Sequence, residues 1–315
     1  MSARIMSLHH MLKAVILFGF AMYIVQLVKT DNILYYIAPR MVDYVKWSAI
    51  GFYAIAVYQV YLGLRSFFGK VEECDCDHTP SRSIIKNTLI YGLFAAPLLL
   101  GALLPDASMG SNAAAKKGMN LNSASTVRNG GNPSLNATGT ETAGGTATSE
   151  SASAAGVGSQ GALTDAQLKE LFPYDKFTEH YAKFAMGLYK QDIIPVPEDM
   201  YIETLTSIDL YLDKFVGKKL ELTGFVYRQE PMTDKQFVVG RFAIQCCSAD
   251  GSPFGLLSEY ANAKSLADDS WVKATGTIQK TKFNDMETLV LKIEKLEKAE
   301  PPKSQYVYPN ASFGS

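Results

Sequence analysis

Three long apolar segments within the first 105 residues limit what this chain of 315 residues can fold into. They cover residues 11–28, 44–68 and 84–105. Each approaches or exceeds the roughly 17–25 residues that a helix needs to cross a bilayer, and the Tyr, Trp and Lys residues near their ends suit the membrane interface. We therefore predict three transmembrane helices within residues 1–106, in a multi-pass protein of the cell membrane.

The basic residues that flank these segments predict the orientation of the chain. With a cytoplasmic N-terminus, the cytoplasmic parts carry more basic residues than the short loop between the first two spans, which is the usual bias. Three spans then place everything after Pro105 outside the cytoplasm. The cytoplasmic residues would be Arg4, Lys13, Arg65, Lys70, Arg82 and Lys86, and the loop carries Lys29, Arg40 and Lys46.

The chain after the apolar segments divides by composition. Residues 107–160 are mostly Ser, Thr, Gly, Asn and Ala, and such a segment cannot bury enough surface to offset its ordering entropy. It is predicted to be a flexible tether. Residues 161–216 are predicted to be helical, beginning with a capping-box pattern at Thr164 and Gln167.

From residue 217 to residue 298 the apolar period changes to two, which predicts about five strands. Gly224 and Gly276 lie inside predicted strands, where glycine often marks a bend or bulge. We expect an extracytoplasmic α+β domain with an OB-like small β-barrel, and a small sandwich is the alternative. Residues 299–315 are predicted to be a disordered tail.

One candidate metal site lies in the predicted cytoplasmic loop 70–82, in the sequence EECDCDH. Soft thiolates and an imidazole suit Zn²⁺ or Cu(I), and cytoplasmic thiols stay reduced. An acidic loop with two incidental cysteines is the alternative. The candidate ligands are Cys74, Cys76 and His78, which alternate with Asp75 and Asp77.

The other two cysteines, Cys246 and Cys247, are adjacent in the sequence RFAIQCCSAD. Their Cα atoms are about 3.8 Å apart, below the roughly 4.4–6.8 Å of an unstrained disulfide. Strand alternation places Cys246 on the buried face and Cys247 on the other, so Cys247 is the candidate for thiol or metal chemistry. A purely structural role for both is the alternative. Joint action would require the strand to break at Cys247, which the turn-rich sequence SADGSP allows.

Several function classes find no support in the sequence. It has no nucleophile elbow, P-loop, dinucleotide fingerprint or HExxH motif, so an enzyme is not predicted. The formal net charge is −1, and the β domain lacks the basic groove that nucleic-acid binding requires.

Three sequence stretches, GKKLELTGFVYR (217–228), FVVGRFAIQCCSADGSPFGL (237–256) and SWVKATGTIQ (270–279), resemble the bacterial YcgQ-like family of permease subunits. The most specific part carries the motif residues Arg241, Cys246, Cys247 and Asp250. The resemblance implies a subunit that works beside a multi-span permease of the YcgR type. It also implies a metal-ligand-rich loop between spans, to which CDCDH is similar. This chain departs from the family in its long tether and in using Cys where His is expected.

These observations predict an accessory, non-enzymatic subunit of a transport system. The three spans carry no embedded charge, and small residues including Gly92 and Ala96 line the third span, which would dock on the permease. One alternative is a metal-handling or thiol-redox protein that acts through Cys247 and the CDCDH loop. The other is a structural envelope anchor.

Overall fold

The computed structural model describes residues 3–68, 83–122, 165–283 and 286–314. These residues form two compact units. The first contains the described residues up to Ser108 together with Cys246–Ser248, and the second contains the others, from Met109 onward.

The first unit is built from three helices: α1 (Ala3–Lys29), α2 (Val42–Phe68) and α3 (Ile84–Leu103). All three are long and apolar enough to cross a membrane, as the sequence predicts. Small residues bring the helices close together. The Ser7 hydroxyl of α1 donates to the Gly63 carbonyl of α2 over 2.8 Å, and Gly101 of α3 lies so near the Tyr23 ring of α1 that a Cβ atom there would be 2.7 Å from its hydroxyl oxygen.

Cys246–Ser248 belong to the first unit because their backbone pairs with the segment between α1 and α2. The Ala38 N–H donates to the Cys246 carbonyl over 3.0 Å, and the Ser248 N–H donates to the Tyr36 carbonyl over 2.8 Å. Ile37 and Cys247 form an isolated antiparallel bridge between these two bonds.

The second unit combines short helices with one mixed sheet. The helices in the described part of the chain are α4 (Ser111–Lys117), α5 (Asp165–Leu171), α6 (Glu179–Tyr189), α7 (Tyr201–Leu210) and α8 (Leu212–Phe215). The strands are β1 (Ile193–Pro195), β2 (Lys219–Tyr227), β3 (Gln236–Ala243), β4 (Ser252–Glu259), β5 (Trp271–Phe283), β6 (Met286–Lys298) and β7 (Tyr306–Val307).

The strand order is β1-β2-β5-β6-β4-β3-β7, and β2 also pairs with β3. Each of β2, β3, β4, β5 and β6 is therefore paired with at least two of the other four. Within this group β4 and β6 are parallel, and the other pairs are antiparallel. The five strands expected from the period of two are all present.

The core of the second unit lies between the sheet and helices α5 to α8. Phe172, directly after α5, and Ile208 and Phe215 from α7 and α8 are fully buried together with Leu220 and Ile278 from the sheet. Helix α7 is buried on nearly every side, including its polar residues. A helix enclosed in this way is an interior element, in contrast to the usual amphipathic surface helix.

Two stretches differ from the sequence prediction. The start of the predicted tether contains α4, and Asn120 forms an isolated parallel β-bridge with Phe254 of β4. In the predicted disordered tail, Tyr306 and Val307 form β7 because both side chains are buried against β3. Residues 123–160 of the predicted tether lie outside the described residues.

Candidate functional site

The candidate site is the loop that joins β3 to β4. Strand β3 ends at Ala243, three residues before Cys246, the first of the adjacent cysteines. The Gln245 N–H donates to the Asp250 carboxylate over 2.8 Å, so a side chain takes the place of the next strand partner. A short 3₁₀ turn at Ser248–Asp250 then leads into β4. The turn-rich sequence SADGSP explains why the chain turns here.

The end of β3 corrects the predicted orientation of the two cysteines. Alternation along an unbroken strand would bury Cys246 and leave Cys247 on the other face. Because the strand ends before both residues, Cys246 is exposed and Cys247 is half-buried. The strand therefore ends before Cys247, and strand alternation does not determine which way the two cysteine side chains point.

The loop brings three potential metal ligands together. The Sγ atoms of Cys246 and Cys247 are 3.7 Å apart, and the two residues are not joined by a disulfide. One carboxylate oxygen of Asp250 completes a group in which all ligand atoms lie within 4.8 Å of one another. Two thiolates and a carboxylate are a ligand set that zinc accepts.

Lys117, at the end of α4, contacts the part of this loop that belongs, like α4, to the second unit. Its Nζ donates to the Ala249 carbonyl over 3.2 Å and also to the Gly251 carbonyl. Lys117 was not among the predicted site residues, because residues 107–160 were predicted to be a tether. The signal was present: AAAKK favours a helix, and Gly118, with a φ of 79°, is the glycine that commonly follows a helix end.

Arg241 lies in the interior of the second unit rather than in the loop of residues 244–251 between β3 and β4, which we call the thiol loop. Its side chain is 1% exposed, and Nη2 donates to the Glu198 carboxylate over 2.8 Å. The guanidinium lies 5.2 Å from the centre of the Trp271 ring and 5.8 Å from that of Tyr201. Stacking and one ion pair stabilise the buried cation. Within the described residues, its Nε and Nη1 have no hydrogen-bond partner.

Two family profiles match this chain. The DUF1980 N-terminal domain matches residues 12–120, and the DUF1980 C-terminal domain matches residues 171–309. The chain belongs to the DUF1980 family. The C-terminal match contains Arg241 and the whole thiol loop, and the N-terminal match extends past α3 to include α4.

Two relatives carry names. UPF0703 protein YcgQ of Bacillus subtilis (strain 168) is 25% identical over 316 residues, covering 95% of this chain and 99% of the relative. A protein of Streptococcus mutans serotype c, named "Putative two-component membrane permease complex subunit", is 32% identical over 110 residues, covering 34% of this chain and 40% of the relative. The predicted resemblance to the YcgQ-like family is therefore confirmed.

The other predicted ligands fall in the DUF1980 N-terminal domain. Cys74, Asp75, Cys76, Asp77 and His78 lie outside the described residues, so a metal site there stays a prediction.

Gly92 and Ala96, the predicted packing residues of this N-terminal domain, are both exposed on α3, and a Cβ atom at Gly92 would meet nothing within 4 Å. Gly101 lies on a different part of the helix, where it contacts α1. The predicted stripe of small residues is therefore divided between an internal contact and an open face.

A cavity of about 640 Å³ in the DUF1980 C-terminal domain was also missed by the sequence analysis. Its wall includes Asp213, Lys280 and Glu287, which come from elements far apart in the chain. The Lys280 ammonium lies 3.0 Å from Asp213 and 2.8 Å from Glu287, so these charges already compensate one another.

Proposed function

We propose that this chain is an accessory, non-enzymatic subunit of a membrane permease complex. The name of the Streptococcus mutans relative supports a role beside a permease. A multi-span protein of the YcgR type is the expected partner. No nucleic acid is expected to bind, because the net charge of −1 provides no basic surface for it.

The exposed face of α3 is the observation that carries this proposal. Leu89 and Leu93 are each 70% exposed on this face, and the small residues Gly92 and Ala96 lie beside them. Small residues allow helix backbones to approach closely, and such packing drives association inside a membrane. A larger permease is the partner that would cover this face.

The charge distribution of the spans supports an accessory role. Residues 14–28, 47–64 and 87–104 contain no Asp, Glu, Lys or Arg. Ionisable residues inside a membrane usually mark an ion or proton pathway. Without them, these helices provide no such pathway of their own, and transport by the chain alone is not expected.

We also infer that strands β2 to β6 of the second unit, each of which pairs with two of the others, form an OB-like barrel. The closing pair β2–β3 and the parallel pair β4–β6 support a closed arrangement over a two-layer sandwich. An experimental structure in which β2 and β3 do not pair would favour the sandwich.

The docking face can be tested with Gly92→Leu/Ala96→Leu in the full chain, purified from native membranes. We expect the multi-span partner, identified by mass spectrometry, to be lost from the purified complex because the two leucines prevent close approach. Gly51→Leu on α2 is the matched control, since a Cβ atom there also meets nothing within 4 Å. It should retain the partner.

Two results would contradict the proposal. One is retention of the partner by the α3 variant. The other is transport of metal ions by the chain alone after reconstitution in liposomes. Normal growth and transport in cells that carry the α3 variant and have lost the partner contact would instead favour a structural envelope anchor.

A further inference from the structure

We propose that Cys246, Cys247 and Asp250 bind one thiophilic divalent cation of the Zn²⁺ type, with tetrahedral geometry. Binding itself stands on the geometry of the loop. The interpretation of this cation as cargo rests on the proposed permease role, and it would name the class of substrate that the complex handles.

The distance between the two sulfur atoms carries the argument. Two thiolates bound to one zinc ion at about 2.3 Å with a tetrahedral angle are separated by about 3.8 Å. The two Sγ atoms here are 3.7 Å apart. Linear coordination at the same bond length would require about 4.6 Å, so the geometry favours a tetrahedral divalent ion over two-coordinate Cu(I).

Asp250 supplies the third ligand and is already oriented for it. Its carboxylate accepts a hydrogen bond from the Gln245 N–H over 2.8 Å, which fixes the side chain within the loop. Carboxylates that bind metals are typically held by such bonds, which tune affinity. All three ligand atoms lie within 4.8 Å of one another, so closing on the ion requires a movement of about 1 Å.

The number of ligands indicates an exchangeable site. Structural zinc sites have four protein ligands, and sites with three leave a position for water or an incoming donor. Two thiolates and one carboxylate carry three negative charges against the two positive charges of the ion, so the site retains a cation firmly. Cys246 is exposed, which gives the ion a way in and out.

The same geometry protects the pair from forming a disulfide with each other. The Cα atoms of adjacent residues are about 3.8 Å apart, and an unstrained disulfide requires about 4.4 Å or more. On the extracytoplasmic side, where thiols are readily oxidised, two neighbouring cysteines can therefore persist as metal ligands.

Lys117 keeps the loop in the shape that the site requires. Its Nζ donates to the carbonyl groups of Ala249 and Gly251, which flank Asp250 in the sequence. A loop held before the ion arrives loses less conformational entropy on binding.

Cobalt substitution of the full chain in detergent tests the proposal. The chain has four cysteines, so Cys74→Ser/Cys76→Ser leaves the proposed site as its only thiol pair, and the four-serine variant, which adds Cys246→Ser/Cys247→Ser to that background, is the matched counterpart. In the first variant we expect one Co²⁺ per chain with the strong visible absorption of a tetrahedral thiolate complex, displaced by Zn²⁺. In the second variant we expect this absorption to be lost.

Asp250→Asn tests the third ligand, because the asparagine oxygen can still accept the bond from Gln245. We expect the affinity for Co²⁺ to fall by about ten-fold or more, since even outer-shell partners of a metal change affinity by that factor. Lowering the pH should release the ion from the Cys74→Ser/Cys76→Ser variant, because protons compete for thiolates.

The outcomes separate this proposal from the permease role. Equal cobalt spectra in Cys74→Ser/Cys76→Ser and the four-serine variant, or weak six-coordinate absorption in Cys74→Ser/Cys76→Ser, would overturn the metal site. If the four-serine variant does not fold, as judged by tryptophan fluorescence, adding Cys246→Ser alone to Cys74→Ser/Cys76→Ser should remove part of the thiolate absorption, and an unchanged spectrum would also overturn the site. Co-purification of the permease is measured separately, so an absence of cobalt binding with the partner retained would remove the metal site and the cargo assignment but leave the permease role.

Discussion

At the scale of single residues, Glu203 is a buried acid whose hydrogen-bonding capacity is only partly satisfied. It is 4% exposed on α7, and burial raises the pKa of its carboxyl group. The Asn310 N–H donates to one carboxylate oxygen over 2.8 Å, and the other has no partner within the described residues. Burying an ionised group without full compensation costs free energy, so Glu203 makes stability depend on pH.

Glu203→Gln is predicted to stabilise the second unit at neutral pH. Because its pKa is raised in the folded state, the carboxyl group contributes most to the free energy of unfolding below its unfolded pKa of about 4.3. This contribution is lost as pH rises through the folded pKa. The variant should show a higher free energy of unfolding than the parent at pH 7, and the difference should disappear below about pH 4.

Urea unfolding followed by tryptophan fluorescence measures this effect in a Trp47→Phe background, where Trp271 is the only tryptophan. Glu300→Gln, which removes an exposed carboxylate, is the control and should change little. A parent protein that becomes more stable as pH rises from 4 to 7, relative to Glu203→Gln, would contradict the assignment.

At the scale of elements, the strands were largely predictable because apolar runs of strand length are separated by polar turn residues. The end of β3 was not. The sequence AIQCC continues the apolar pattern, and the strand ends because the Asp250 side chain captures the Gln245 N–H. That contact depends on the fold of the loop, which periodicity does not encode. Cys247 could be proposed as a metal ligand from the sequence. Its grouping with Cys246 and Asp250 could not, because it depends on where the strand ends.

Gly276 was expected to mark a bend. The register of β5 against β6 shifts between Thr275 and Gly276, so Glu294 has no partner residue opposite it on β5. A Cβ atom at Gly276 would lie 2.2 Å from the Lys292 carbonyl oxygen and 2.8 Å from the Ile293 Cα atom. Both neighbours are backbone atoms of a paired strand, so they have little freedom to move away.

Gly276→Ala should therefore lower the free energy of unfolding of the second unit by about 1–3 kcal/mol, the usual range for overpacking. Gly187→Ala is the matched control, because Gly187 lies inside α6 and a Cβ atom there meets nothing within 4 Å. It should stabilise by up to about 1 kcal/mol through helix propensity. Urea midpoints of the two variants would contradict this account if both moved in the same direction.

At the scale of the whole molecule, composition predicted two kinds of structure, and both are present. Apolar runs of membrane length became α1, α2 and α3, and the period of two became the sheet. The assignment of 107–160 as one tether differs from the structure at its start, because composition records the scarcity of large apolar residues there but not the contacts of Lys117 and Asn120 with the β4 side of the second unit. Such long-range contacts are not visible in a local window.

The orientation of the chain in the membrane is the last prediction, and it rests on the distribution of basic residues. With the N-terminus inside, a cysteine at Lys264 should react with an impermeant thiol reagent in intact cells, since this side chain is 71% exposed in the second unit. Lys264→Cys is made in a chain whose four native cysteines are replaced, and a second chain retains Cys74 alone. Cys74 should react only after the membrane is permeabilised, because the loop 70–82 would then face the cytoplasm. Labelling of Cys74 in intact cells, with Lys264→Cys protected, would reverse the orientation and place the thiol loop in the reducing compartment.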